Sequence, residues 1–209
     1  MSGKPRVATN GARRRAAAWP AIGLGLFVAL APVGGALAVR IGGPFVLVDQ
    51  HGAARTDADF RGSYLLIYFG FTNCPDSCPT ALAKITGALD ALAESDAAEA
   101  GRVVPTFVSV DPARDTPEVP RGYAEQFGPR LVALTGTPRA LAEVGRAYGV
   151  FAAKVPTGDA GGYVMDHTSF LYLIGPDGWY VEHFENDVSV DELVGALRRS
   201  VVGSSAGGS

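Results

Sequence analysis

The sequence predicts a mixed α/β domain that follows an apolar N-terminal segment. Three observations support this prediction. Strand-like and helix-like stretches alternate over residues 43–202, the alternation ends in an antiparallel hairpin, and the strongest strand is apolar on both faces. Strands that alternate with helices form a sheet covered on both sides, and such strands bury both faces. A length of 209 residues fits one domain with an additional segment.

The N-terminal region differs from the rest of the chain in charge. Residues 1–40 hold six basic residues and no acidic residue, for a net charge of +6. The remaining residues hold 12 basic and 21 acidic residues, for a net charge of −9. Because phosphate binding requires clustered lysine and arginine, the acidic body argues against nucleic acid as a partner.

Residues 19–39 form the apolar segment. They are 21 residues without a charged side chain, close to the ~20 that span a bilayer as a helix. Five basic residues precede them, so the positive-inside rule places residues 1–18 in the cytoplasm and the body outside it. We therefore expect a single transmembrane anchor. The alternative is a signal peptide, because residues 36–38 form an Ala-x-Ala cleavage pattern.

The elements of the body follow from periodicity and turn signals. A hairpin is expected over residues 45–56 with its turn at Asp49–Gly52, which makes His51 a solvated loop residue. The central strand is expected at Tyr64–Phe69. The elements expected after it are a helix at Pro79–Ala93, a strand at Val103–Val110, a helix at Val119–Phe127, an edge strand at Leu131–Leu134, a helix at Pro138–Tyr148, strands at Phe170–Ile174 and Trp179–His183, and a helix at Val190–Val201.

Two stretches are expected to lack regular structure. Residues 154–164 contain three glycines and predict a flexible loop, and residues 203–209 predict a disordered tail. Thr137 is expected to cap the helix that begins at Pro138, and Gly149 to end it. The complete order, with a site between the central strand and the next helix, is that of a thioredoxin-like fold with an additional N-terminal β-hairpin.

Both cysteines of the chain lie at that junction. The stretch Phe71–Thr80 holds Cys74 and Cys78, and a proline follows each of them. The exposed N–H groups and the dipole at a helix N-terminus stabilise a thiolate. Two thiols in this position therefore predict a functional site.

Three interpretations of the two thiols stay open on the residues alone. An exported chain with an even number of cysteines often pairs them in a structural disulfide, although closing so short a loop adds little stability. Thiol–disulfide exchange is the second interpretation, although oxidoreductases of this fold mostly use Cys-x-x-Cys rather than Cys-x-x-x-Cys. A metal site is the third.

A distant histidine supports the metal interpretation. In a thioredoxin-like topology the loop before the late hairpin lies against the thiols, and here that loop contains His167. Two thiolates and one imidazole form a soft donor set that suits Cu(I), whereas structural zinc normally takes four ligands and Cu(II) requires a further oxygen or nitrogen. The second ring nitrogen of His167 needs an acceptor, for which we expect Asp166. His183 is expected to be exposed.

Three motifs in order resemble the signatures of the Sco/SenC family. They are Phe71-Thr72-Asn73-Cys74-Pro75-Asp76-Ser77-Cys78-Pro79, then Ser109-Val110-Asp111-Pro112-Ala113-Arg114-Asp115-Thr116-Pro117, then Asp166-His167-Thr168 before Tyr172-Leu173-Ile174-Gly175-Pro176-Asp177-Gly178. The resemblance covers about residues 43–200. It implies a thioredoxin-like domain, usually tethered to the membrane, that binds copper and helps to build the CuA centre of cytochrome c oxidase subunit II.

Carried over by position, the resemblance makes Cys74, Cys78 and His167 the copper ligands. It places Asp111 and Asp115 in an acidic loop that orients the site without binding copper. Two residues depart from the family pattern at positions that are not ligands, since Asn73 stands where many members have histidine and Ser77 where many have an aliphatic residue.

The resemblance also implies partners, and the N-terminal region predicts a location. The partners are cytochrome c oxidase subunit II and a copper donor protein. The basic flank and the apolar segment predict that the body lies on the periplasmic side of the cytoplasmic membrane. The expected role is that of a metallochaperone. The alternative is an exported thiol–disulfide oxidoreductase that reduces oxidase subunit II or other exported proteins, with Cys74 and Cys78 as its redox-active pair.

Overall fold

The computed structural model describes residues 40–158 and 162–203. The predicted cytoplasmic segment 1–18, the predicted anchor 19–39 and the tail from residue 204 onward lie outside these residues. Within the described residues, no helix is both long enough and apolar enough to cross a membrane.

The strands form a seven-stranded sheet and a separate two-stranded ribbon. They are β1 Val46–Asp49, β2 Ala54–Thr56, β3 Tyr64–Gly70, β4 Val103–Ser109, β5 Val132–Thr135, β6 Ala152–Pro156, β7 Tyr163–His167, β8 Leu171–Ile174 and β9 Tyr180–Phe184. The order in the sheet is β2-β1-β5-β4-β3-β8-β9, and β6 pairs with β7.

All of the described helices except the five-residue second one, which was not predicted, begin and end close to the predicted residues. They are α1 Ser77–Ser95, α2 Ala97–Gly101, α3 Glu118–Ala124, α4 Pro138–Tyr148 and α5 Val190–Gly203, with 3₁₀ turns at Asp57–Phe60 and Glu125–Phe127. As predicted, the Thr137 side chain caps α4 and Gly149, with φ of +67°, ends it. The helix α1 begins two residues before the predicted start, so Pro79 is its third residue and still needs no intrahelical N–H partner.

The strand β3 lies at the centre of the sheet, parallel to β4 and antiparallel to β8. Its alternate residues face two cores. Leu66 and Tyr68 pack with α1 and α5, while Leu65 and Ile67 pack with α4. The predicted mixed α/β architecture, with helices on both faces of the sheet, is therefore confirmed.

The strand β5 is not at an edge of the sheet, and that prediction was wrong. The N-terminal hairpin extends the sheet, and its first strand pairs antiparallel with β5 through Val48 and Thr135. The hairpin itself is confirmed, because β1 pairs with β2. The Asp49 carboxylate closes its turn by accepting the N–H groups of His51 and Ala53.

Residues 154–164, predicted as a loop, contain half of a β-ribbon instead. The strands β6 and β7 pair antiparallel, with Ala152 opposite His167 at one end and Pro156 opposite Tyr163 at the other. Side chains along β7 alternate between partly buried and exposed. We call these two strands, residues 152–156 and 163–167, the histidine arm, because the second one ends at His167.

Candidate metal centre

The end of β3 positions the two cysteines. A Cβ atom on Gly70 would lie 2.9 Å from the Sγ of Cys78 and 2.9 Å from the ring of Tyr68, so glycine permits this close approach. The helix α1 begins seven residues later at Ser77, which places Cys78 in its first turn and fully buried. Cys74 lies in the preceding loop and is partly exposed.

The sulfur of Cys74 serves as an acceptor at the start of α1. The N–H of Cys78 donates to Cys74 Sγ at 3.4 Å, and Ser77 Oγ lies 3.2 Å from the same sulfur. The side chain of Asp76, the residue at the helix N-cap, makes no capping hydrogen bond. The thiol therefore satisfies one of the N–H groups that a helix start leaves open. Both thiols are free.

The two thiols differ in acidity. Burial raises the pKa of Cys78 to about 12. Partial burial also acts to raise the pKa of Cys74, but hydrogen bonds from Ser77 and from the thiol and N–H of Cys78 outweigh it, so the pKa of Cys74 lies below its ordinary value. Cys74 is therefore the sulfur that ionises first.

His167 faces Cys78 from the end of the histidine arm. Its Nε2 lies 3.9 Å from Cys78 Sγ. The rings of Phe71 and Tyr68 meet the imidazole edge to face, with centroids 5.7 and 6.2 Å away. Its Nδ1 lies 3.0 Å from the carbonyl oxygen of Thr168. Because a carbonyl only accepts, Nδ1 carries the proton and Nε2 presents its lone pair on the side of the sulfur.

Asp166 is not the acceptor that orients His167, and that prediction was wrong. Neighbouring residues of a strand point to opposite faces, so Asp166 is exposed on the other face of β7. The carbonyl of Thr168 takes the role instead. The main chain of the arm, rather than a carboxylate, therefore sets the orientation of the imidazole.

Asp115 fastens the cysteine loop to the end of β4. Its side chain is only 1% exposed. It accepts the N–H of Thr72 at 3.1 Å, the hydroxyl of Thr72 at 2.5 Å and the hydroxyl of Ser109 at 2.6 Å. Since Thr72 lies two residues before Cys74, this carboxylate holds the loop that carries the first sulfur.

Asp111 is fully buried and fastens the histidine arm instead. Its two oxygens lie 2.8 and 3.0 Å from the hydroxyl of Tyr163, and it also accepts Nε of Arg114 at 2.5 Å. Among the described residues, the hydrogen-bond partners of Asp111 and Asp115 include neither thiol nor His167. Both carboxylates thus contact the segments that carry the candidate ligands and not the ligands themselves.

The chemistry and spacing of Cys78 and His167 suit a soft metal ion. Within residues 40–158 and 162–203, no three His, Cys, Asp or Glu side chains are already placed to hold a metal ion. Cys78 Sγ and His167 Nε2 are 3.9 Å apart, less than the sum of a metal–thiolate bond of about 2.3 Å and a metal–imidazole bond of about 2.0 Å. One ion can therefore contact both, and the sulfur of Cys74 lies at the start of the same helix, 3.4 Å from the N–H of Cys78.

The other two histidines lie elsewhere. His51 is exposed in the hairpin turn and His183 is exposed on β9, as predicted for both. His183 packs against the ring of Phe170 and accepts or donates a hydrogen bond of 2.6 Å with Tyr180. His183 thus serves as a matched control for His167.

Two tyrosines near the site, Tyr68 and Tyr163, are not predicted from the sequence. The hydroxyl of Tyr68 donates to Cys78 Sγ at 3.8 Å, and burial raises the pKa of that tyrosine far above its ordinary value. The alternation along β3 is a signal for this contact, because it places Tyr68 on the same face as Leu66, the face that packs against α1 and Cys78. The sequence carries no comparable signal for Tyr163, because residues 154–164 are predicted to form a loop rather than a strand.

Comparison with known proteins identifies the family. The family model described as SCO1/SenC matches residues 34–202. The chain belongs to the SCO1/SenC family. An SCO2-like protein of Rickettsia prowazekii is 43% identical over 157 residues, which cover 75% of each chain. The human mitochondrial SCO1 homolog is 40% identical over 157 residues, which cover 75% of this chain and 52% of the human protein. The chain therefore spans about half the length of that relative.

Solved structures of this SCO1/SenC family share the fold. Arabidopsis thaliana ScoI with copper bound has a TM-score of 0.73 and 36% identity, over 78% of this chain and 99% of that chain. Bradyrhizobium japonicum ScoI with copper bound has a TM-score of 0.69 and 44% identity, over 77% of this chain and 99% of that chain. The mixed α/β fold of this chain is thus that of copper-bound Sco proteins.

Proposed function

We propose that this protein is a copper chaperone that binds Cu(I) through Cys74, Cys78 and His167. The observation that carries the proposal is the 3.9 Å approach of His167 Nε2 to Cys78 Sγ, from residues 89 positions apart in the sequence. Membership of a family with copper-bound structures supports it. Copper is the cargo in this proposal.

The donor set accounts for both holding and releasing the ion. Two thiolates and a neutral imidazole suit Cu(I), and the site with its ion carries a net charge of −1. Cys78 is buried whereas Cys74 is partly exposed. An incoming thiolate from a client therefore reaches the copper from the side of Cys74 and replaces that ligand first. Loading requires both cysteines to be reduced.

The proposed client is the CuA centre of cytochrome c oxidase subunit II, and the copper arrives from a donor protein. Membership of the SCO1/SenC family supports both parts of this proposal. We also propose that residues 19–39 anchor the protein in the cytoplasmic membrane, with residues 1–18 in the cytoplasm and the domain over residues 43–202 on the periplasmic side. The anchor is supported by its 21 consecutive uncharged residues and by the five basic residues that precede them in the sequence.

Copper titration of the full chain tests the proposed ligand set. Replacing His167 by alanine removes the one nitrogen donor, so we expect the affinity for Cu(I) to fall by about 100-fold or more, because changes around metal ligands already cost 10–100-fold. The EPR spectrum of the Cu(II) form should lose its nitrogen coupling. His183→Ala, which removes an exposed imidazole on β9, should leave both unchanged. Full copper affinity in His167→Ala would exclude the three-ligand site.

A second candidate function is thiol–disulfide exchange, and the unequal thiols favour it. Cys74, with its lowered pKa, attacks a substrate disulfide and forms a mixed disulfide; Cys78 then attacks Cys74 and releases the reduced substrate, leaving a Cys74–Cys78 disulfide. Two electrons pass from the protein to the substrate in each cycle, and an external dithiol must reduce the Cys74–Cys78 disulfide before the next cycle.

Turnover with a disulfide substrate separates the two functions. If the protein is a reductase, Cys74→Ser and Cys78→Ser each abolish turnover while His167→Ala retains at least about half of it, because the imidazole transfers no electrons. Iodoacetamide should modify Cys74 before Cys78 in the wild-type chain. A chain that binds copper tightly and shows no turnover is a chaperone only.

A further inference from the structure

The backbone hydrogen bonds between the two strands of the histidine arm do not attach the arm to the main sheet. Within the part of the chain that the structure describes, the two strands of the arm pair with each other and not with the main sheet. An isolated two-stranded ribbon is marginally stable in water. The position of His167 therefore depends on contacts between the arm and the body.

One face of the arm turns toward the body. Tyr163, Met165 and His167 are partly buried, while the two residues between them are exposed. Met165 packs against the core that includes Cys78. Tyr163 and His167 therefore lie on the same face of β7, at its opposite ends and about 13 Å apart along the strand.

Tyr163 is bound to the body by its hydroxyl and by its ring. The hydroxyl reaches both oxygens of the buried Asp111 at 2.8 and 3.0 Å. The guanidinium of Arg114 lies 3.7 Å from the centroid of the Tyr163 ring and donates to the same carboxylate. Hydrogen bonds to charged groups are stronger than neutral ones, so this contact is a firm attachment.

The attachment links the two halves of the metal centre. Asp111 and Asp115 lie four residues apart in the loop after β4. Asp115 accepts the backbone N–H of Thr72 in the cysteine loop, and Asp111 accepts the hydroxyl of Tyr163 in the histidine arm. The N–H of Asp115 itself donates to the carbonyl of Asp111. One short loop thereby sets the distance between the cysteine loop and the histidine arm.

We infer that Tyr163 is a positioning residue for the metal centre: its hydroxyl, held by Asp111, keeps the histidine arm where His167 Nε2 faces Cys78 Sγ. The inference rests on the proposed function, because it assigns His167 the role of a ligand. Tyr163 itself touches neither the thiols nor the copper in this account.

The test is Tyr163→Phe in the full chain, which removes the hydroxyl and keeps the ring under Arg114. Tyr180→Phe is the matched control, since Tyr180 is also a strand tyrosine with a hydrogen-bonded hydroxyl, here to His183. Competition with a chromophoric Cu(I) chelator should show about a tenfold loss of affinity for Tyr163→Phe. The loss for Tyr180→Phe should stay within about twofold, since its hydroxyl lies on β9.

A double-mutant cycle with His167→Ala separates positioning from general destabilisation. In the His167→Ala background, Tyr163→Phe should change the copper affinity by less than about twofold, because the ligand it positions is absent. An equal tenfold loss in both backgrounds, or no loss in either, would overturn the inference.

Amide hydrogen exchange of the copper-free chain provides a readout that does not depend on copper. Residues 163–168 should exchange about tenfold faster in Tyr163→Phe and at the wild-type rate in Tyr180→Phe. Unchanged exchange would overturn the inference even if the copper affinity of Tyr163→Phe fell. If His167→Ala alone keeps full affinity, the proposed ligand set fails, while the exchange rates still decide whether Tyr163 holds the arm.

Discussion

Replacing Cys78 by serine is expected to remove tight Cu(I) binding, with the affinity falling by about three orders of magnitude or more. The change exchanges a soft thiolate for a neutral hydroxyl, which Cu(I) binds poorly. It removes the sulfur that His167 faces at 3.9 Å. The remaining thiol, Cys74, would hold the ion with the imidazole alone. The measurement is Cu(I) competition with a chromophoric chelator.

The fold must survive this substitution for the result to be informative. Cys78 is fully buried, so a hydroxyl at this position costs about 1–3 kcal/mol. Ala88→Ser is the matched control, because Ala88 is buried just as completely on the same helix, farther from the site. We expect similar thermal unfolding for the two variants but unchanged copper affinity for Ala88→Ser. Cu(I) affinity within tenfold of wild type in Cys78→Ser would contradict the assigned site.

Replacing Asp115 by alanine is expected to destabilise the domain by about 3–5 kcal/mol. The substitution leaves three donors without their acceptor in a buried place: the N–H of Thr72, the hydroxyl of Thr72 and the hydroxyl of Ser109. For a domain of this size the midpoint of thermal unfolding should fall by about 10 °C. Circular dichroism on heating measures it.

Asp59 offers a close control for this prediction. Its carboxylate accepts the N–H and the hydroxyl of Thr56, as Asp115 does with Thr72, but the contact is exposed to solvent. Asp59→Ala should therefore lower the midpoint of thermal unfolding much less than Asp115→Ala does, because water can replace an exposed acceptor. If the two variants unfold at the same temperature, the role assigned to the buried carboxylate is wrong.

The sequence predicted the parts of the site that depend on element order. Apolar strands and amphipathic helices located β3 and α1, and with them Cys74 and Cys78 at their junction. Topology then placed His167 near the thiols, although it lies far along the chain. These inferences succeeded because burial periodicity and strand order are set by the core, which the apolar residues of the chain determine.

The sequence could not predict the contacts that orient the site. The histidine arm buries only part of one face, so its strands lack a strong apolar pattern. The three glycines within residues 154–164 indicate a loop instead. Proximity in sequence predicts Asp166 as the partner of His167, but strand alternation directs its side chain away, and the carbonyl of Thr168 is the acceptor instead. The role of β5 depended on a hairpin pairing with it from more than 80 residues away.

X-ray absorption of the full chain loaded with Cu(I) tests the central claim most directly. The proposed site predicts two sulfur neighbours at about 2.3 Å and one nitrogen neighbour at about 2.0 Å, as thiolate and imidazole ligands have at zinc. In His167→Ala the nitrogen neighbour should disappear and both sulfurs should remain. Copper bound by sulfur alone in the wild-type chain, or a nitrogen neighbour that persists in His167→Ala, would contradict the Cys74, Cys78 and His167 site.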